Sequence, residues 1–171
     1  MDHDHILVLG AGLVIRPFLN YLFTETDLQI RVASLDVGDA ARDLVAQHSR
    51  GELLELDVNN KEKLREQIRR PEIKLVASFV PPVYHPLVAR MCIEAGKSMI
   101  MTSYAKQELY AMQDQAREAG VCILAEIGFD PGIDHMSAMK TIRTIQEQGG
   151  EIVSFCSDCG ALPAPEAAIN P

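Results

Sequence analysis

Gly10 and Gly12 stand between a short apolar run and an amphipathic segment, and this placement indicates a site for a phosphate group. Glycines let the backbone turn tightly and approach a pyrophosphate, whose charge the N-terminus of the following helix stabilises. Ile15 takes the place of the third glycine in the usual pattern, and we expect its branched side chain to hold helix and strand slightly apart. The motif predicts a dinucleotide site of somewhat unusual geometry; a tight turn that binds nothing is the alternative.

A carboxylate follows the glycines at the distance where an adenosine ribose binds. Asp36 ends the run Ser34-Leu35-Asp36, about 20 residues beyond the glycines, and can accept hydrogen bonds from ribose hydroxyls. An arginine in this run would instead suit the 2′-phosphate of NADP, and the run has none. The sequence therefore favours NAD over NADP as the cofactor, with a plain turn residue at Asp36 as the alternative.

Further candidate residues follow the later strands of the predicted sheet, because ligands of open α/β sheets bind beyond the carboxyl ends of the strands. They are Asp57 and Val58, the segment from Phe79 to His85, then Thr102, Ser103 and Tyr104, and last Asp130, Asp134 and His135. The titratable groups around Pro131 and Gly132 suit proton transfer. His85 precedes Pro86 at a helix start, where a packing or capping role is favoured over acid–base chemistry.

Short β-branched runs alternate with longer amphipathic segments, which predicts an α/β fold with a doubly wound, parallel, Rossmann-type sheet over residues 1–135. The predicted strands are Ile6–Leu9, Gln29–Ala33, Leu53–Leu56, Lys74–Phe79, Ser98–Met101 and Val121–Ala125. Helices are predicted near Pro17, over Asp39–His48, over Lys61–Arg69, before Gly96 and over Glu108–Ala119. Residues 136–171, with a helix over Met136–Gln148 and a strand over Glu151–Asp158, are expected to begin a truncated second domain that binds substrate.

Charge and composition exclude several classes of partner. The chain has 171 residues, with 24 acidic and 16 basic side chains, so its net charge of −8 repels nucleic acid and anionic membranes. The stretch from Leu75 to Ala89 lacks charged side chains but is interrupted by prolines, so we expect no membrane span. An acidic start without a secretory signal predicts a cytoplasmic protein with reduced cysteines. Cys156 and Cys159 lack a second pair at matching spacing, so no metal site is expected.

Several segments resemble the saccharopine dehydrogenase family of the L-glutamate-forming type. They are VLGAGLVIRP, LDVNN, SFVPPVYHPLVARMCIEAGKSMIMTSY, AGVCILAEIGFDPGIDHMSAMKTI and CGALPAPEAAINP, of which DPGIDHM and CG-x-LPAPE are the most specific. The resemblance covers nearly the whole chain, and family members are usually more than twice as long. It implies an NAD(P)-dependent oxidoreductase of lysine metabolism that interconverts saccharopine with L-glutamate and 2-aminoadipate 6-semialdehyde.

The resemblance also implies roles for particular residues. The cofactor would be lined by Gly10, Ala11, Gly12, Leu13, Val14, Ser34, Leu35, Asp36, Asp57, Val58, Val80, Thr102 and Ser103. Saccharopine would be faced by Ser103, Tyr104 and Asp130. Leu35 departs from the family pattern, since members that use NADP carry arginine there, and Cys156 is not part of the family motif.

In the reaction that the resemblance implies, a hydride passes from the carbon beside the secondary amine of saccharopine to the nicotinamide and leaves an imine. Water adds to the imine, and the resulting carbinolamine breaks down to an aldehyde and an amine. These steps need proton transfers, and the candidate catalytic residues are Tyr104, Asp130 and His135. A substrate with three carboxylates needs cationic clamps that these loops lack, so we expect the isolated chain to be inactive.

Two other functions stay open at this stage. One is a related dehydrogenase of a condensed polyamine such as carboxynorspermidine, and the other is a dinucleotide-binding module without catalysis. The expected partners are a small-molecule substrate and, in a possible homodimer, a second copy of the chain.

Overall fold

The computed structural model describes residues 4–12 and 14–160, which form one parallel sheet with helices on both faces. The strands are β1 His5–Leu9, β2 Gln29–Ser34, β3 Gly51–Glu55, β4 Ile73–Ser78, β5 Ser98–Met101 and β6 Ile123–Leu124. The helices are α1 Ile15–Glu25, α2 Asp39–Ala46, α3 Lys61–Arg69, α4 His85–Ala95, α5 Gln107–Tyr110, α6 Gln113–Glu118 and α7 Ile133–Glu147, and a 3₁₀ turn, Pro82–Tyr84, precedes α4.

The sheet order is β3-β2-β1-β4-β5-β6, with every neighbouring pair parallel. This confirms the predicted doubly wound fold. The strand order reverses between β1 and β4, which is the topological switch point where such sheets bind ligands. Leu9 is in register with Ala33 on β2 and with Ser78 on β4, so the carboxyl ends of the three central strands open at one level.

Residues of β1 point alternately to the two faces of the sheet, and both faces are buried. Ile6 and Val8 pack in a cluster with the apolar side of α1 and with Val45 of α2. Leu7 and Leu9 pack in a second cluster that contains Leu64, Ile68, Val88, Ala89 and Cys92 from α3 and α4. The nucleotide-binding candidates at the end of β1 therefore rest on two separate layers of core.

The helix predicted over Lys61–Arg69 is confirmed as α3, and the Asn60 side chain caps its start by accepting a hydrogen bond from Lys63 N (3.1 Å). The single helix predicted over Glu108–Ala119 is wrong, because the structure divides it into α5 and α6. Met112 N donates to Leu109 O (3.0 Å), a spacing of three residues that tightens the chain between the two helices. Met112 is thereby buried in the core.

The strand predicted over Glu151–Asp158 is also wrong, since residues 151–160 have no regular secondary structure. All of these residues except half-buried Ile152 are exposed, and an isolated strand has no partner for its backbone hydrogen bonds. The sixth predicted strand is shortened to Ile123–Leu124. Within the described ranges, every helix is too short or too polar to cross a membrane.

Candidate functional site

The turn after β1 requires glycine at position 10 because of its backbone conformation and its close contact with the end of β4. Gly10 has φ +96°, and a Cβ there would lie 2.9 Å from Phe79 O at the end of β4. Gly10 N donates to Ala33 O (2.8 Å), and Phe79 N donates to Leu9 O (2.7 Å), which fixes the turn against both neighbouring strands. A Cβ on Gly12 would meet nothing within 4 Å. The free space at Gly12 therefore faces the cleft, where a ligand can approach the backbone closely.

A cleft of about 1090 Å³ opens above the switch point. Of the predicted cofactor residues, its lining includes Gly10, Ala11, Gly12, Ser34, Leu35, Asp36, Asp57, Val58 and Val80. Three others, Val14, Thr102 and Ser103, are not part of the lining, and Leu13 lies outside the described residues. Ile15 is buried against the core and also borders the cleft. The open glycine turn and the carboxylate at the end of β2 fit a dinucleotide.

Sequence reasoning missed part of the cleft wall. Asn59 Nδ2 donates to Asp57 Oδ1 (2.9 Å) and to Tyr84 Oη (3.3 Å), and Asn59 N donates to the same carboxylate oxygen (2.8 Å). These bonds join the loop after β3 to the 3₁₀ turn before α4. Arg16, in the first turn of α1, adds a cation to the lining. The polar run after β3 marks a turn by its composition, but its partner Tyr84 lies 25 residues away in sequence.

The turn after β2 is held by the Ser34 hydroxyl, which donates to Asp36 O (2.6 Å). The Ser34 hydroxyl proton is therefore used within the turn. The Asp36 carboxylate is exposed and lines the cleft. Leu35 is 66% exposed beside it. An exposed carboxylate suits ribose hydroxyls and repels a phosphate at the same place.

A second group of predicted residues meets at the ends of β5 and β6. Tyr104 Oη donates to Asp130 Oδ1 (2.9 Å), across 26 residues of sequence. Two backbone bonds bring their loops together, from Glu126 N to Ser103 O (3.1 Å) and from Ile127 N to Met101 O (3.1 Å). The chain after β6 thus runs back along the end of β5 and carries Asp130 to the tyrosine.

The loop that contains Asp130 is tightly closed. Gly128 N donates to Pro131 O (2.8 Å), and a Cβ on Gly128 would lie 2.6 Å from Thr102 O. Gly132 has φ +146°, and a Cβ there would collide with Gly128 O. Asp134 Oδ1 accepts from Gly132 N (2.9 Å) and lies 2.8 Å from His135 Nδ1. This packing fixes the two carboxylates at the start of α7.

The charges of this group shift its proton affinities in opposite directions. The hydrogen bond to Asp130 raises the pKa of Tyr104, which keeps its proton and acts as a donor near neutral pH. The hydrogen bond and charge of Asp134 raise the pKa of His135. Desolvation works to raise the pKa of Asp134, but hydrogen bonds from His135 and the backbone lower it on balance. The Asp130 carboxylate raises the pKa of the exposed Cys159 thiol, a neighbour that sequence reasoning missed.

His85 is a buried core residue, 1% exposed, that lies between Ser78 at the end of β4 and Ser103 after β5. Its Nδ1 lies 3.1 Å from Ser78 Oγ and its Nε2 lies 3.2 Å from Ser103 Oγ. Burial lowers its pKa, so the neutral imidazole is favoured. The part of the chain that the structure describes contains no group of three or more His, Cys, Asp or Glu side chains arranged to hold a metal ion.

Two families match the chain. The saccharopine dehydrogenase NADP binding domain matches residues 6–124, and the saccharopine dehydrogenase C-terminal domain matches residues 128–171.

Individual relatives agree with these matches. The chain is 38% identical to saccharopine dehydrogenase [NADP(+), L-glutamate-forming] from Schizosaccharomyces pombe over 97% of its length and 36% of the relative's. It is 37% identical to alpha-aminoadipic semialdehyde synthase from Arabidopsis thaliana over 97% of its length and 17% of the relative's. The solved apo saccharopine dehydrogenase (L-Glu forming) from Saccharomyces cerevisiae superposes with a TM-score of 0.77 at 33% identity, covering 98% of this chain and 37% of that one.

The chain thus spans well under half the length of each of these relatives. The match over residues 6–124 covers more than half of this chain, and the sheet order agrees with it. The chain therefore belongs to the saccharopine dehydrogenase family.

Proposed function

We propose that this chain is the cofactor-binding part of an oxidoreductase that interconverts saccharopine with L-glutamate and 2-aminoadipate 6-semialdehyde. The observation that carries the proposal is the bond from Tyr104 Oη to Asp130 Oδ1 at the ends of β5 and β6. These strands lie in the same sheet as β1 to β4, whose carboxyl ends open into a cleft that fits a dinucleotide. The name of the Schizosaccharomyces pombe relative supports the substrate. The family match over residues 128–171 supports a second domain that follows the dinucleotide-binding part. We assign substrate binding to this second domain and place its start at residue 136, as predicted from the sequence.

A nicotinamide dinucleotide, when bound, accepts or supplies the hydride. The turn Gly10-Ala11-Gly12 binds its pyrophosphate through the backbone at the N-terminus of α1. Asp36 accepts hydrogen bonds from the adenosine ribose, and Asp57, Val58 and Val80 complete the walls. Val14, Thr102 and Ser103 are assigned to the same ligand, the last two toward its nicotinamide end.

Leu35 and Asp36 bear on the choice between the two nicotinamide cofactors. The matching family is described as NADP binding, and the fungal relatives are named for NADP(+). In this chain, however, the exposed Asp36 carboxylate lines the cleft at the ribose and repels a 2′-phosphate. We therefore assign NAD as the preferred cofactor, with Arg16 as the cation through which NADP can still bind.

Titration calorimetry of the chain with NADH and with NADPH at matched salt tests this assignment. We expect NADH to bind more tightly, because the Asp36 carboxylate repels the extra phosphate. Leu35→Arg should reverse the preference, and Leu35→Met, which keeps the apolar character, is the matched control. Tighter binding of NADPH by the unsubstituted chain would overturn the argument from Asp36.

Proton transfers are assigned to the residues at the ends of β5 and β6. We assign Tyr104 as the proton donor: its O–H leaves the hydrogen bond to Asp130 and turns to the reacting nitrogen or oxygen of the substrate. The Asp130 carboxylate then accepts a hydrogen bond from a substrate amine. His135, whose pKa is raised by Asp134, exchanges protons with water at the mouth of the site. The charges that raise the pKa of Tyr104 are all carboxylates, Asp130, Asp134 and Glu126. A tricarboxylate substrate is repelled by these groups unless other parts of the protein supply cations.

Turnover is tested in a chimaera in which residues 1–171 replace the matching part of the Schizosaccharomyces pombe relative. We expect the chimaera to reduce the dinucleotide when saccharopine is added, and the isolated chain to bind the dinucleotide without turnover. Asp130→Asn should lower turnover by about 100-fold, the usual contribution of a general acid or base, whereas Asp158→Asn is the control. Turnover of carboxynorspermidine alone would favour that alternative, and binding without any turnover would favour the non-catalytic module.

The cytoplasmic location and the homodimer stay predictions from the sequence. The alpha-aminoadipic semialdehyde synthases of Bos taurus and Mus musculus are named as mitochondrial.

A further inference from the structure

His85 connects two hydroxyl groups that belong to different parts of the candidate site. Ser78 ends β4, immediately before the cleft residues Phe79 and Val80, and is fully buried. Ser103 follows β5, next to Tyr104, and is half-buried. The imidazole lies between them, with Nδ1 3.1 Å from Ser78 Oγ and Nε2 3.2 Å from Ser103 Oγ. It is the only chain of side-chain hydrogen bonds from β4 to the end of β5 among the described residues.

The position of the ring proton decides what Ser103 can do. A neutral imidazole has one N–H donor and one nitrogen acceptor, and burial favours the neutral form here. With the proton on Nε2, the imidazole donates to Ser103 Oγ, and the Ser103 hydroxyl keeps its own proton for a ligand. With the proton on Nδ1, Ser103 must donate to Nε2 and can only accept from a ligand.

Ser78 selects between these two states. Its hydroxyl has no solvent exposure, and its one side-chain hydrogen bond within the described part of the chain is to His85 Nδ1. If Nδ1 carried the proton, the Ser78 O–H would be a buried donor without an acceptor, which is unfavourable. The Ser78 hydroxyl therefore donates to Nδ1, and the ring proton stays on Nε2.

The topology indicates which ligand atom Ser103 meets. The dinucleotide crosses the switch point, with one half over β1 to β3 and the other over β4 to β6. Because Asp36 at the end of β2 receives the adenosine half, the nicotinamide half lies toward β4 and β5. The carboxamide oxygen of the nicotinamide is an acceptor, and it needs a donor at this end of the cleft.

We propose that His85 is a positioning residue, held as the Nε2–H tautomer by Ser78, that turns the proton of Ser103 toward the carboxamide oxygen of a bound nicotinamide. His85 then acts on the ligand only through Ser103. The proposal rests on the proposed function for the dinucleotide site, and it assigns the nicotinamide end of that site a defined donor.

The tautomer is measured on the 171-residue chain with ¹⁵N-labelled histidine, by spectra that separate protonated from unprotonated ring nitrogens. We expect the His85 proton on Nε2 in the unsubstituted chain. Ser78→Ala removes the donor to Nδ1 and should shift the proton toward that nitrogen, while Ser137→Ala on the exposed side of α7 should change nothing. A proton on Nδ1 in the unsubstituted chain overturns the proposal.

The contact with the ligand is measured by comparing NADH with ADP-ribose, which lacks the nicotinamide. We expect Ser103→Ala to weaken NADH binding roughly fivefold, the loss of one neutral hydrogen bond, and to leave ADP-ribose binding unchanged. Ser78→Ala and His85→Met should produce the same selective loss, and His85→Gln, whose amide can still donate to Ser103, should restore part of it.

A double variant with both His85→Met and Ser103→Ala should be no weaker than Ser103→Ala alone. Equal losses for NADH and ADP-ribose would mean that these residues only support the fold, and would overturn the proposal. If NADH binds as well to Ser103→Ala as to the unsubstituted chain, the assigned contact is wrong. If neither ligand binds the unsubstituted chain, the proposed dinucleotide function fails first, and this proposal with it.

Discussion

Helices α1 and α7 begin with the same residue type and differ completely in what they bury. In α1, Ile15, Leu19, Leu22 and Phe23 are buried against the sheet. In the longer α7 no residue is buried, and Ile133, Met136 and Met139 are 55%, 54% and 45% exposed. The strands before them differ in the same way, since four of the five residues of β1 are buried and neither residue of β6 is.

An amphipathic pattern therefore predicts a helix but does not identify the surface against which the helix packs. Burial of apolar surface stabilises by about 25 cal/mol per Å², so α1 owes its stability to the layer of core beneath it. Helix α7 gains little from such contacts in the described chain and rests on its backbone hydrogen bonds and on the closed loop before it. The cleft therefore rests on packed core, whereas on the Asp130 side only the closed loop is tightly packed and helix α7 after it has few apolar contacts in the described chain.

The largest effect that tests this comparison is on stability. Ile15→Ala should lower the free energy of unfolding by about 2–5 kcal/mol, because Ile15 is 2% exposed and its removal leaves a cavity. Ile133→Ala is the matched change at the start of α7 and should alter the free energy by less than about 0.5 kcal/mol. Urea unfolding of both variants is the measurement. Equal losses would show that α7 is as firmly packed as α1.

A second pair of changes separates fold from ligand within the cleft. Gly10→Ala should destabilise the chain by about 2 kcal/mol, because its positive φ strains an alanine and the new Cβ approaches Phe79 O. Gly12→Ala should leave stability nearly unchanged and weaken dinucleotide binding by about tenfold, equivalent to about 1.4 kcal/mol. Unfolding and calorimetry on the same samples distinguish the two effects. Normal binding by Gly12→Ala would mean that the ligand does not approach this backbone.

The smallest effect is on the titration of two histidines, one in each region. Burial lowers the pKa of His85, so its contribution to stability falls as the pH drops below about 6.5, the ordinary value. Asp134 raises the pKa of His135, so that contribution is present below about pH 6.5 and is lost as the pH rises through the raised pKa. The two groups therefore give stability opposite slopes with pH.

Nuclear magnetic resonance titration of the ring protons checks both directions. The midpoint for His135 should lie above the ordinary histidine value and return to it in Asp134→Asn. The midpoint for His85 should lie below that value and should not respond to Asp134→Asn. A His85 midpoint at or above the ordinary value would contradict its burial as a neutral ring.

Sequence reasoning succeeded where the signal is local. The strands before residue 102, the glycine turn and the helix over Lys61–Arg69 each depend on neighbouring residues, and the structure contains all of them. Sequence reasoning failed where the local structure depends on contacts with residues that are distant in sequence. Met112 divides one predicted helix by turning into the core, and residues 151–160 lack the partner strand that their pattern alone would have implied. The hydrogen bond between Asn59 and Tyr84 joins two loops that are distant in sequence, and no local sequence pattern predicts that they lie close together.

The family, the order of the elements and the residue types at the strand ends can be inferred from the sequence alone, because motifs and periodicity are local properties of the chain. Which of these residues come into contact depends on the tertiary structure. The parallel register of β1, β2 and β4 opens the cleft, the return of the chain along β5 brings Asp130 to Tyr104, and the packing of α4 places His85 between two serines. Such contacts depend on how separate elements pack together, and this packing depends on the side chains of the whole close-packed core.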